Sequence, residues 1–236
     1  MKTQKPDKDF YTIQGKLVPR VTTILQAIPK PALVYWYEKQ GRLKMQSLIL
    51  DLIARRVKVT PEKIEEFSKV KAAEEAKARA AQTGQDLHTA IQEYLQHDTM
   101  PEKRSPIVPA FKLWLKWWQS RKLQALDIEK TVYDLENKYA GTLDCRAKFE
   151  KKPVVLDWKS SNAIYPEYFL QSVAYENAAA KLKMPTTAGY IVRIPKDGEG
   201  EVEVARRPDD ITINDFLLVK QFWLFWRRLT GKPVGD

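Results

Sequence analysis

The chain has 236 residues, 44% hydrophobic and 30% charged, which is enough to bury a sizeable core and too apolar for a disordered segment. Forty Lys and Arg against 30 Asp and Glu leave a net charge of +10, which favours a polyanionic partner such as nucleic acid. The one cysteine, Cys145, excludes an internal disulfide, a cysteine zinc site and an iron–sulfur cluster; with no stretch of signal-peptide or membrane-span length, a soluble, cytoplasmic protein is expected.

The first part of the chain reads as helical. Thr60 and Pro61 are the cap and first residue of a helix over 60–82, whose lysines and glutamates interleave at the spacing of a solvated face. Gly84 is expected to interrupt it, with a second helix over 86–96 carrying Leu87, Ile91, Tyr94 and Leu95 on one side. In "VPAFKLWLKWWQSRKL" the residues Phe111, Trp114, Leu115 and Trp118 recur at helical spacing, the pattern of an amphipathic helix. The pattern then turns to β-branched and aromatic residues, predicting strands over about 131–137, 139–149 and 153–159 with a charged turn at 150–153. A helix over 165–183, strands in "TAGYIVRIP" and "EVEVARR", and a final helix carrying Phe216, Val219, Trp223 and Trp226 complete the order. The expected fold is a mixed α/β single domain spanning 1–236, with a helical portion over 18–125 and an α/β core over 126–236. Most of the tryptophans, Trp226 included, sit at core spacing, and Cys145 is expected to pack inside.

The stretch "VVLDWKSS" carries the chemistry. A turn centred on residues 150 and 151 sets Asp144 opposite Asp157, and two carboxylates facing each other on one side of a hairpin repel unless a cation lies between them. A divalent ion with oxygen ligands, Mg²⁺ or Mn²⁺, is the natural occupant. Alternation sets Lys159 on the face of Asp157 and Trp158 on the other. Two metal ligands and a cation at one strand end suit metal-assisted hydrolysis of a phosphodiester. By spacing alone, Asp-x-Lys is equally an ordinary strand-end ion pair.

Wider context adds a resemblance. "GTLDCRAKFEKKPVVLDWKSS" followed by "IYPEYFLQSVAYENA" resembles the PD-(D/E)XK nuclease superfamily, most closely its RecB-like and phage-type exonuclease branch, which includes the mitochondrial genome-maintenance exonuclease. Asp144 matches the acid of the second core strand, Asp157 and Lys159 the acid-x-lysine, and Gln171 and Tyr175 the helical Gln-x-x-x-Tyr; Gly84 and His88 match an upstream Gly-x-x-x-His, and residues 18–41 look like the N-terminal segment of phage members. Leu143 stands where the superfamily name has proline, and a lone cysteine departs from the cluster-bearing relatives.

The resemblance implies a restriction-endonuclease-like core, a mixed sheet flanked by helices with an N-terminal helical portion. It further implies a Mg²⁺- or Mn²⁺-dependent DNA exonuclease acting on single strands or duplex ends, in company with replication or recombination proteins. In that reading Asp144, Asp157, Lys159, Gln171 and Tyr175 are catalytic, and His88, Asp144 and Asp157 hold metal. Tyr35, Trp36, Lys39, Arg42, Ser160 and Ser161 are the candidates for nucleic-acid contact, the aromatics by stacking on unpaired bases. A structure-specific endonuclease and a non-catalytic DNA-binding module on the same fold are the alternatives. Polarity, strand preference, oligomeric state and a viral or cellular source are left open.

Overall fold

The computed structural model describes residues 9–56, 60–62, 65 and 72–236. In chain order its elements begin with a hairpin of β1 (Phe10–Ile13) and β2 (Lys16–Pro19), followed by α1 (Val21–Ile24). The helices α2 (Pro31–Ala54), α3 (Ala72–His97) and α4 (Val108–Ser120) come next. Then follow β3 (Gln124–Asp134), β4 (Tyr139–Phe149), β5 (Lys152–Lys159), α5 (Pro166–Lys181), β6 (Gly189–Arg193), β7 (Glu203–Arg206) and α6 (Ile213–Leu229). The fold is mixed α/β. Asp86–Asp236 together with the described residues up to Ile28 make one compact unit, and Pro29–Gln85 the other. The contacts thus group α4 and the N-terminal hairpin with the sheet.

Five strands form one sheet in the order β3-β4-β5-β6-β7. All neighbours are antiparallel except β5 and β6, which run parallel because α5 carries the chain back across the sheet. The turn between β4 and β5 places Glu150 and Lys151 at φ 50° and 67°, the two left-handed positions that match the twist of a tight hairpin. The register that follows pairs Phe149 with Lys152 and runs unbroken to Cys145 opposite Leu156. The ladder ends there; Asp144 and Asp157 are the next residues of the two strands, and Asp144 Oδ2 accepts a hydrogen bond from the backbone N–H of Trp158.

Two apolar layers enclose the sheet. On one face Leu87 and Ile91 of α3 and Phe111, Trp114 and Trp118 of α4 cover Cys145, Leu156 and Trp158. The expected core positions of those helices are thereby filled, and Cys145 is buried. On the other face Val173 and Tyr175 of α5, Phe216 and Trp223 of α6 and Phe10 of β1 cover Val132, Tyr139 and Leu143.

Several elements depart from expectation for local reasons. The hairpin at 10–19 has no counterpart among the expected elements and lies mostly before the helical portion expected over 18–125. β3 begins at Gln124, well before 131, and ends at Asp134, where Oδ1 accepts hydrogen bonds from the backbone N–H of Glu136 and Asn137 and turns the chain. Gly84 does not interrupt the helix: α3 runs through it, since one glycine costs only about 1 kcal/mol against alanine. Of the helix expected over 60–82, residues 63–64 and 66–71 lie outside the described residues, and 72–82 are helical. Trp226 is exposed, not core: the buried side of α6 runs through Phe216, Trp223 and Arg227, and Trp226 sits about 100° off Arg227. The Arg227 guanidinium is accommodated there by Asp9 at 2.9 Å and the Pro233 carbonyl, and it lies over the Phe10 and Trp223 rings.

Candidate metal and catalytic site

The site forms where β4 and β5 emerge between the two layers. Side-chain alternation breaks at Asp144: Leu143 joins one apolar layer and Cys145 the other. Across from Asp144, between the pairs Ile128–Cys145 and Lys130–Leu143, lies Glu129, whose φ of 47° marks an irregularity in β3. The β3–β4 register is unchanged on either side of Glu129, its one shift lying between Ala125 and Asp127, so the irregularity at Glu129 is local to its backbone. A set of three donors gathers here: His88 of α3, Glu129 and Asp144 offer one ligand atom each, all within 4.8 Å of one another. Asp144 Oδ2 also lies 3.6 Å from His88 Nδ1 and accepts a 2.7 Å hydrogen bond from the backbone N–H of Trp158. That bond locks the carboxylate of one strand to the main chain of the next.

Asp157 is fully buried, and its two oxygens have different surroundings. Oδ1 accepts a 2.9 Å hydrogen bond from Gln171 Nε2. Oδ2 lies 2.6 Å from Lys159 Nζ but takes no aligned hydrogen bond. Lys159 Nζ donates to Gln171 Oε1 at 3.2 Å and sits 4.9 Å from the centroid of the Tyr168 ring. The Gln171 amide is thus held at both ends, and its Nε2 also meets Tyr175 Oη at 3.2 Å. The helical spacing of Gln171 and Tyr175 delivers both to one face of α5, as their i, i+4 separation requires. Gly141 on β4 makes room for the phenol: a Cβ there would lie 2.3 Å from Tyr175 Cε1.

The electrostatics are those of a crowded acidic pocket with one fixed cation. Burial pushes Asp157 up to about 6, with Lys159 pulling it down and Asp144 adding to the rise. Burial, Asp144 and Asp157 push Glu129 up to about 7. Burial disfavours the charged Lys159, but Asp157 and Asp144 outweigh it and hold its pKa above the ordinary lysine value. Burial and the same two acids hold Tyr175 well above the usual tyrosine range, so the phenol keeps its proton. The Glu129 and Asp144 carboxylates and the His88 imidazole fit a hard divalent cation, which would relieve the repulsion that adds to burial in raising Glu129 and Asp157.

A pH dependence follows. Both acids have raised folded-state pKa values, so each contributes stability that is present below its unfolded-state value and lost as pH rises through about 6 for Asp157 and about 7 for Glu129. In a chelator, the thermal midpoint is expected to fall between pH 5 and pH 7.5 on their account. Mn²⁺ affinity, read by calorimetric titration, should climb over that same range as the acids lose their protons. A flat affinity profile would contradict the ligand assignment.

The remaining expected residues fall in two places. Ser160 and Ser161 directly follow Lys159; Ser161 Oγ donates to the Ala163 carbonyl at 2.7 Å. Tyr35, Trp36, Lys39 and Arg42 lie on α2 in the other compact unit. Tyr35 is exposed, Trp36 packs edge-on against Tyr37 at 5.4 Å, and Arg42 lies 4.0 Å from Glu38. Sequence reasoning missed Glu129, Tyr168 and the need for glycine at 141. Glu129 was findable: counting back from a turn near 136 pairs it with Asp144, had β3 been extended past its charged "DIEK" stretch.

No family model matches this chain, and no curated protein matches it. Among solved structures, one titled "Crystal structure of SSO0001" is similar at 12% identity with a TM-score of 0.34, over 50% of this chain and 57% of that one. The match spans little more than half of that protein's length, and a likeness so slight has no bearing on function.

Proposed function

We propose that this chain is a Mg²⁺- or Mn²⁺-dependent deoxyribonuclease of the exonuclease type, acting on single-stranded DNA or DNA ends. The observation that best supports the reading is the joining of two sets of groups at one sheet rim: the His88, Glu129 and Asp144 donors, and the Asp157–Lys159–Gln171 network beside them. The ordered resemblance to PD-(D/E)XK nucleases, with a restriction-endonuclease-like core, and the +10 charge support it further.

In this reading Asp144 and Asp157, joined by Glu129 and His88, hold the ion. When bound, a divalent ion there would polarise the scissile phosphate and acidify the attacking water. Lys159 supplies the fixed positive charge. Its ammonium, anchored by Asp157, Gln171 and the Tyr168 ring, can orient the attacking water and offset charge building on the phosphate oxygens. Gln171 fixes the lysine and the aspartate relative to one another, and Tyr175 fixes Gln171. Tyr35 and Trp36 stack on bases, Lys39 and Arg42 meet phosphates, and Ser160 and Ser161 line the approach to Lys159. Replication or recombination proteins are the natural company of such an enzyme.

A linear single strand and a closed circle of the same sequence distinguish this from the alternatives. The linear strand alone should be degraded with Mg²⁺ or Mn²⁺. Cutting of the circle would favour an endonuclease, and bound but intact DNA under both metals a non-catalytic module.

A further inference from the structure

The helix α6 has two apolar faces, and among the described residues only one of them is covered. Phe216 and Trp223 enter the core, whereas Leu218, Phe222, Phe225, Trp226 and Leu229 are 49–68% exposed. At about 100° per residue these five fall within a stripe roughly 100° wide, the width of a face that packs against another helix. At that exposure they present on the order of 500 Å² of apolar surface, the upper end of what a monomer ordinarily shows. No ring contact with them is found among the described residues.

The spacing of the stripe identifies its occupant. Leu218 and Leu229 are equidistant from the midpoint between Trp223 and Leu224, and so are Phe222 and Phe225. Two copies of α6 laid antiparallel about that midpoint therefore set Leu218 against Leu229 and Phe222 against Phe225, twice over. A surface that matches itself under a two-fold rotation is what a symmetric dimer requires. The end charges of the helix are opposed in the same sense: exposed Asp215 sits in its first turn and exposed Arg228 in its last. The acid of each copy then meets the basic end of the other, and the helix dipoles oppose favourably. Two such stripes facing one another would bury roughly 1,000 Å² from their apolar side chains alone, the threshold for a specific interface.

We propose that the chain forms a two-fold symmetric homodimer through antiparallel packing of α6 on α6. The dimer is independent of the nuclease reading and concerns a surface that the candidate site does not use. Trp226, exposed in the single chain, becomes the aromatic flank of this interface, the kind of residue enriched at the centre of protein contacts.

Sedimentation of the full chain over a concentration series tests the proposal. A monomer–dimer equilibrium is expected, weakened at least 100-fold by the pair Phe222→Lys and Phe225→Lys. Both side chains are exposed, so far-UV circular dichroism should be unchanged in that variant. A monomer at every concentration, or a dimer that the double variant leaves intact, would overturn it. Cysteine pairing fixes the direction and needs no loss of folding. Leu218→Cys protein mixed with Leu229→Cys protein should oxidise to a cross-linked dimer. Neither should cross-link alone, because like positions lie about 16 Å apart along the axis in the antiparallel arrangement. Cross-linking of either variant with itself, and not of the mixture, would mean parallel packing and refute the proposed interface. The buried native Cys145 does not interfere.

Discussion

Lys159→Ala is expected to lower metal-dependent DNA cleavage by about 10³-fold or more while DNA affinity changes little. The size follows from what the ammonium touches. It is 2.6 Å from Asp157 Oδ2 and 3.2 Å from Gln171 Oε1, so its charge is delivered to one spot beside the candidate metal donors. Charge fixed in advance in a largely buried site is worth far more than a mobile surface lysine, because nothing must reorganise as the phosphate changes charge. Loss of the partner should push Asp157 still higher, so cleavage is best compared over a pH series that separates loss of the ammonium from protonation of the acid. Single-turnover rates on a 3′-labelled and a 5′-labelled strand give the effect. A variant within tenfold of the parent would remove Lys159 from the chemistry. Gln171→Ala should fall between the two, since it positions the lysine without carrying charge.

Trp158→Ala is expected to cost about 3–5 kcal/mol of folding stability, the usual range for truncating a buried tryptophan. Trp158 is the centre of an aromatic cluster: its ring centroid lies 5.9 Å from that of Trp114 and 6.2 Å from those of Trp117 and Trp118, all at angles near 80°. Edge-to-face pairs of this kind add to the area they bury. The cluster also backs the site, because the Trp158 amide donates to Asp144 while its indole anchors the strand on the opposite face. Urea unfolding followed by circular dichroism checks the value. A cost below about 1 kcal/mol would mean that the cluster repacks and does not hold β5 in place.

Much of the fold was legible because its signals are local. The i, i+3, i+4, i+7 pattern of Phe111, Trp114, Leu115 and Trp118 leaves no reading but a helix packed on one side. The charged turn at 150–151 fixes a register by counting alone, and the strands keep that register as far as Cys145 opposite Leu156, one residue short of Asp144 and Asp157. What escaped depended on partners distant in sequence. Glu129 reaches the site because β3 extends through a charged stretch and kinks there, and neither event is written in its own alternation. Arg227 is buried in place of Trp226 because Asp9 and the Pro233 carbonyl satisfy the guanidinium, a condition set by both ends of the chain. The hairpin at 10–19 is held by contacts such as Tyr11 Oη with Thr142 Oγ1 at 2.8 Å and the bridge from Arg20 to Ala140, which no local pattern announces.

The central claim is that this rim of acids, histidine and lysine hydrolyses DNA with a divalent ion. One oligonucleotide labelled separately at its 5′ and 3′ ends, offered single-stranded and as a duplex with Mg²⁺, Mn²⁺ or EDTA, tests it most directly. The account predicts products released progressively from one end with either metal, none in EDTA, and release slowed about 10³-fold or more from the Lys159→Ala protein. Products that persist in EDTA, a variant that releases them within tenfold of the parent's rate, or intact DNA with every metal, would contradict it.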